Sequence, residues 1–232
     1  MRTRIEAISY HLPESRITNE DMHAQHPQWN MIHVGQRAGV MRRHWARADE
    51  TALDLAKHAC DKLLERAPLL MKGGDGLIFC TQSPDHIMPP NAHLLHSYLG
   101  LPDACAAFDI NLACSGYVYG LAIAHGLLST GAATKILLVT ADTYSKFIHP
   151  EDRSARVLFG DAAAVSVLIP DVESGMDMFS LHSHGKEYAK FYIPAGGCRL
   201  PRSPATAREF KDAKGHIRCD DFIQMDGMVV WS

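Results

Sequence analysis

AAFDINLACSGYVYGL, residues 106–121, changes its hydrophobic period partway along. The first five residues, AAFDI, are a short apolar run of the kind a strand uses, while CSGYVYGLAIAHGLLSTG, residues 114–131, reads as a long apolar helix. A strand that passes into a helix through Asn111, Leu112 and Ala113 alone is a unit of an α/β layer fold. The same alternation extends outward in both directions. Upstream, TRIEAISYHLP (3–13) reads as a strand, and TALDLAKHACDKLLER (51–66) as a helix capped by Thr51, with Leu53, Ala56, Ala59, Cys60, Leu63 and Leu64 on one face. GLIFCT (76–81) suits a buried parallel strand, and a Pro-rich loop, SPDHIMPP (83–90), leads to a helix in NAHLLHSYLG (91–100). Downstream, KILLVTA (135–141) is a strand, and DRSARVLFGDAAAVSVLIP (152–170) is a loop running into another strand, expected to end at Pro170 because proline cannot donate to a ladder.

From Glu173 to Asp221 the periodicity fades into an excursion over the surface. DDFIQMDGMVVWS (220–232) then reads as the start of an apolar helix that stops at Val229, Val230 and Trp231 without a cap, so a longer chain is expected. The expected division is residues 1–170, bearing the strand–helix junction, and residues 171–232, a connection into a following half. No internal repeat is evident.

Composition narrows the function classes. Lys plus Arg number 23 against 26 Asp plus Glu, so no broad basic field exists for nucleic acid or an anionic membrane. No stretch of eighteen apolar residues occurs, and a cytoplasmic protein is expected. The six cysteines form no CxxC pair, and Cys60, Cys80 and Cys105 sit among aliphatic residues as small hydrophobes. His182 and His184 in LHSHG lack a third ligand at a defined offset, so no metal site is expected.

Cys114 is the candidate for chemistry. A thiol at a helix N-terminus meets unpaired N–H groups and the positive end of the helix dipole, which favour thiolate. Spacing alone also allows a buried structural cysteine. The small neighbours Ala113, Ser115 and Gly116 leave the sulfur uncrowded.

AFDINLACSGYVYGL resembles the nucleophile segment of the 3-oxoacyl-(acyl-carrier-protein) synthase III family, whose cysteine lies in an A-C-S-G stretch after a strand ending in F-D. DRSARVLFGDAAAVSVL resembles the family's D-R and F-G-D-G-A-G-A segment, and TNEDMH, QRAGVMRRHW, TQSPDHIMPP and DDFIQMDGMVVW match further family segments in order. The resemblance implies the thiolase fold, two βαβαβ-type halves with layered helices and mixed sheets, of which this sequence supplies the first. It implies that Cys114 takes the acyl group of an acyl-CoA, and that malonyl-acyl carrier protein is then decarboxylated and joined to it. The histidine and asparagine that serve decarboxylation in the family lie beyond Ser232, so residues 1–232 alone are expected not to condense.

By the same resemblance Arg37 and Arg153 hold the CoA nucleotide, and Met88 takes the place of a bulky side chain that reaches into the acyl pocket of a partner subunit in a homodimer. Coenzyme A is then a substrate, with no tightly bound cofactor. Where the family has an adenine-stacking tryptophan four residues before the arginine, this chain has His33, with Trp29 one turn earlier; the loader is then CoA or an acyl carrier protein. Phe159, Gly160 and Asp161 match a structural turn, with Ala162 and Ala164 in place of glycines. Two other readings are compatible with the residues: transfer of the acyl group to a hydroxyl or amine, and a non-catalytic half-subunit.

Overall fold

The computed structural model of the chain describes residues 1–227. In chain order the elements are β1 (Arg2–His11), β2 (Ser15–Thr18), α1 (Asn19–Gln25), α2 (Met31–Ala38), β3 (Arg42–Trp45), α3 (Ala52–Arg66), α4 (Pro68–Met71), β4 (Gly76–Cys80), α5 (Asn91–Leu99), β5 (Ala106–Ile110), α6 (Gly116–Ser129), β6 (Ile136–Asp142), α7 (Arg153–Arg156), β7 (Ala162–Asp171), β8 (Phe191–Tyr192), β9 (Phe210–Lys211), β10 (Ile217–Arg218) and β11 (Gln224–Met225). They build two compact units from interleaved segments, a different partition from the division at residue 170.

The first unit comprises Met1–Pro13, Asp49–Thr143 and Asp161–Leu181. Its sheet has the order β1-β7-β6-β4-β5. β4 is parallel to β5 and β6, whereas β7 runs antiparallel to both β6 and β1, giving a mixed sheet. Every residue of β4 is buried, as the unbroken apolar run GLIFC requires of a strand covered on both faces. On one face lie α3 and α5, with Leu55, Ala59, Leu63 and Leu95 packed against Leu77, Phe79, Leu137 and Val139. α3 forms because a capping box, Thr51 with Asp54, satisfies its first amides and its apolar residues recur at helical spacing.

On the other face lies α6, where Gly116, Gly120 and Ala124 form a buried stripe at intervals of four. A Cβ at Gly120 would come within 2.6 Å of Leu138 Cδ1, so the glycine lets the helix approach β6 closely. Val118 and Ile123, also on α6, remain exposed.

Pro170 does not end β7. The strand continues to Asp171, which pairs with Arg2, and Pro170 itself faces Thr3. β6 pairs with β7 only as far as Leu168, so Pro170 has a neighbour on one side and its missing N–H can face the open side.

The second unit comprises Glu14–Ala48, Tyr144–Gly160 and His182–Ser232. β2 and β3 pair antiparallel, and Met22, Trp29, Met31, Val34 and Val157 form one core. Tyr144, Ile148, Ala155, Ile223 and Met225 form another. The excursion carries only two-residue strands, β8 paired with β11 and β9 with β10. The helix expected from Asp220 does not begin there: Gln224 and Met225 pair as strand with Tyr192 and Phe191, because Ile223 and Met225 are drawn into the core. Its expected stop at Val229–Trp231 lies outside the described residues. Among those described, no helix is long and apolar enough to cross a membrane.

Candidate active site

The parallel strands β4, β5 and β6 share one direction, so their carboxyl ends line one edge of the sheet, where open α/β sheets meet their ligands. Asp142, the last residue of β6, gathers that edge. It accepts hydrogen bonds from Thr81 Oγ1 at 3.1 Å, the Gln82 amide at 2.8 Å and Ser83 Oγ at 2.9 Å. Burial pushes its carboxyl up, and these bonds oppose that shift without cancelling it. The segment after β4 is tied in turn to the segment after β5. The Thr81 amide donates to Ile110 O at 3.1 Å, Gln82 Nε2 to Asn111 Oδ1 at 3.1 Å, and Cys80 Sγ to Leu112 O at 3.3 Å.

These bonds fix the chain immediately before Cys114. The Gly116 amide then donates to Ala113 O at 2.8 Å, closing a tight turn with Cys114 and Ser115 inside it. α6 starts at Gly116 with Ser115 as its cap residue, so the helix does not begin at Cys114 as the apolar run indicated. The glycine pattern explains the shift: the close packing on the sheet starts at Gly116, and Cys114 is left one position ahead of the cap. The thiol is exposed at the start of the helix.

The other cysteines differ. Burial pushes Cys60 up to about 12, helped by Asp61, and pushes Cys80 up to about 11, helped by Asp142. Cys105 is also raised by burial, and Cys219 is buried. Only Cys114 and Cys198 are exposed, and Cys198 sits in an irregular turn of the second unit between Gly197 and Leu200. The buried cysteines Cys60, Cys80 and Cys105 are thus the small hydrophobes the sequence indicated.

Met88 belongs to the loop between β4 and α5. The base of that loop is held by Asp85, whose amide donates to Asn91 Oδ1 at 3.0 Å and whose carboxylate accepts from the Leu53 amide and Asn91 Nδ2. Asp109 on β5 accepts from the Asn91 and Ala92 amides at 2.8 Å each, supplying the cap that Pro90 cannot give α5. The tip projects: Ile87 is 94 % and Met88 79 % exposed.

The second unit carries both candidate arginines. Arg37 is exposed near the end of α2, which stops at Gly39 with φ 69°. His33, one turn earlier on the same helix, is exposed as well. Trp29 is 5 % exposed and stacks on His26 at 3.8 Å and 9°. A cavity of about 750 Å³ lies beside α1 and α2, bordered by His23, Trp29, Ile32, Gln36 and Met41. The sequence pattern gave no sign of it.

Arg153 opens α7 and is exposed. Its turn is fixed by Asp152, which caps the Ser154 amide at 2.9 Å and receives Arg218 Nη1 at 2.8 Å in a buried pair. Arg218 also donates to Ser154 Oγ and to Met225 O. Phe159 packs edge-on to Tyr144 at 5.5 Å, and a Cβ at Gly160 would press on His44 O at 3.1 Å. Neither Arg37 nor Arg153 has a hydrogen bond or ion pair to its guanidinium among the described residues.

Residues 108–186 match the family model for 3-oxoacyl-[acyl-carrier-protein (ACP)] synthase III. The chain is 34% identical over 235 residues to a beta-ketoacyl-[acyl-carrier-protein] synthase III of Chlamydia caviae, covering 99% of this chain and 66% of that protein. It is 36% identical over 216 residues to the synthase of the same name from Methylococcus capsulatus, covering 93% and 64%. A crystal structure of a 3-oxoacyl-(acyl-carrier-protein) synthase III superposes with a TM-score of 0.94 at 40% identity, covering 99% of this chain and 69% of that one. The chain thus spans about two thirds of the length of the curated relatives it matches.

Proposed function

Because the chain belongs to the 3-oxoacyl-(acyl-carrier-protein) synthase III family, with its thiolase-like fold, we propose that it is a condensing acyltransferase that carries an acyl group on Cys114. The observation that carries this reading is the exposed cysteine in a turn pinned to the carboxyl ends of the parallel strands, with Cys80, whose thiol burial keeps neutral, packed below it. The Cys114 thiolate attacks the thioester carbonyl of an acyl-CoA, the carbon–sulfur bond to CoA breaks, and CoA leaves as a thiolate that takes up a proton from solvent. The acyl group stays activated as an enzyme thioester while its first carrier departs. Malonyl-acyl carrier protein then loses carbon dioxide, and the resulting carbanion attacks the acyl carbonyl to release 3-oxoacyl-acyl carrier protein.

Arg37 and Arg153 serve the nucleotide of CoA, since an exposed guanidinium can pair with phosphate and stack on adenine. His33, on the helix that carries Arg37, offers an exposed flat ring near that arginine. The enzyme works as a homodimer. Among the described residues β5 is the outer strand of its sheet, paired with β4 alone, and the Ile87–Met88 tip is exposed enough to reach a second copy's acyl pocket. It needs no tightly bound cofactor, and six free cysteines suit the reducing cytoplasm.

The test is intact mass after mixing with acyl-CoAs of graded length. One acyl increment is expected, absent in Cys114→Ser; no increment with any donor contradicts the proposal. In a chain that also carries the family's downstream histidine and asparagine, and with malonyl-acyl carrier protein present, carbon dioxide release marks condensation, whereas acyl transfer to a hydroxyl or amine without release marks simple acyl transfer.

A further inference from the structure

Apart from the nucleophile, the first unit contains a second cluster of chemistry-bearing side chains. His11 ends β1, Glu50 stands just before the Thr51 cap of α3, and His58 lies two turns into that helix. Each offers one ligand atom, and the three atoms lie within 4.8 Å of one another. The two imidazole rings are 4.7 Å apart between centroids and tilted by 38°. Among the described residues this is the one group of three such donors that comes together. We propose that His11, Glu50 and His58 form a divalent transition-metal site, with zinc the ion that fits best.

The chemistry of the donors selects the ion. Two imidazole nitrogens and one carboxylate oxygen suit zinc, whereas magnesium and calcium take oxygen ligands. Around a tetrahedral zinc at about 2.0–2.1 Å, donor atoms stand roughly 3.4 Å apart. The trio therefore has to close by about 1.4 Å at most from its 4.8 Å span, a movement within the reach of side-chain rotation. His58 is exposed and can make it, and its exposure gives the ion a way in. Glu50 is 5 % exposed, so its carboxylate meets the ion at short range in a weakly screened setting. Three protein ligands leave the fourth position for water.

The frame that holds these donors is rigid without the ion. Arg66 Nη2 donates to Ile8 O at 2.8 Å and Lys62 Nζ to Tyr10 O at 3.5 Å, laying α3 along β1, while the Thr51–Asp54 box fixes the start of the helix. A bound ion ties the last residue of β1 to the first turns of α3. Binding to the folded chain alone raises its stability with metal concentration.

The experiment uses the whole chain, stripped with a chelator and titrated with zinc chloride and, separately, with cobalt(II) chloride. One equivalent of zinc is expected to bind and to raise the melting temperature. Cobalt is expected to give visible bands of low-coordinate nitrogen and oxygen ligation without a thiolate charge-transfer band. His58→Ala, a change at an exposed position, is expected to leave the metal-free melting temperature unchanged. It should weaken zinc binding by more than about 100-fold, beyond the roughly 10- to 100-fold that loss of an outer partner costs. His182→Ala should change neither. The proposal is overturned by an absence of saturable binding below millimolar zinc, by affinity that His58→Ala leaves intact, or by a thiolate band that assigns the ion to cysteine.

Discussion

The sulfur of Cys80 fills the space that a side chain at Gly116 would need. A Cβ at Gly116 would collide with Cys80 Sγ and come within 3.2 Å of Leu112 Cβ, while Cys80 itself donates to Leu112 O. The first residue of α6 is thus locked to the end of β4, and Cys114 is positioned by that contact from two residues away.

Gly116→Ala should therefore displace the turn and slow acyl loading of Cys114 by at least about tenfold, with a loss of roughly 1–3 kcal/mol in stability from overpacking. Cys80→Ala in the same chain should restore part of both, because the collision with the sulfur is removed while the 3.2 Å approach to Leu112 Cβ stays. Loading rates and denaturant midpoints of the four chains in this cycle check the claim. Equal loading by Gly116→Ala and the unmodified chain would show that the contact does not position the thiol.

For the arginines, the readout is a comparison of donors. Arg37→Ala and Arg153→Ala should each slow loading from acyl-CoA by tenfold or more, on the order of 1.4 kcal/mol, and leave loading from a short thioester without a nucleotide nearly unchanged. Parallel losses with both donors would mean that these residues act through folding.

How much of this was legible in the residues themselves varied with the distance over which each feature is assembled. The strand AAFDI, the buried run GLIFC and the Thr51 cap of α3 are local patterns, and the structure has each of them. Whether Cys114 is exposed or buried was left open by its spacing, since the small residues around it show only that there is room, and the start of α6 was not legible. It is set by Cys80 and Leu138, which the chain brings to Gly116 and Gly120 from 36 residues before and 18 after. Trp29 is buried in a core that includes Val157, 128 residues downstream, and the turn of Arg153 depends on Arg218, 65 residues downstream. His11, Glu50 and His58 meet only because α3 folds back along β1, so no ligand spacing in the sequence marks them.

The second unit should show an acid-sensitive anchor at Asp212. Burial pushes its carboxyl up, but bonds from the amide and ring of His216, from Arg218 and from the Lys214 amide outweigh burial and hold it well below the usual carboxylate range. A folded pKa below the unfolded value of about 3.9 contributes stability above that value and loses it as pH falls through the folded pKa. Denaturant midpoints should therefore fall more steeply between about pH 5 and pH 2 in the unmodified chain than in Asp212→Asn. The same slope in both would remove Asp212 from the acid response.

If Cys114 carries the acyl group, peptide mapping after incubation with an acyl-CoA finds it there. Cys198 is the relevant competitor, since it is the other exposed cysteine. Acylation is expected on the peptide containing Ala113, Cys114 and Ser115, reversed by hydroxylamine and lost in Cys114→Ser, with Cys198 unlabelled. An acyl group on Cys198 or Cys105 while Cys114 stays clean would contradict it.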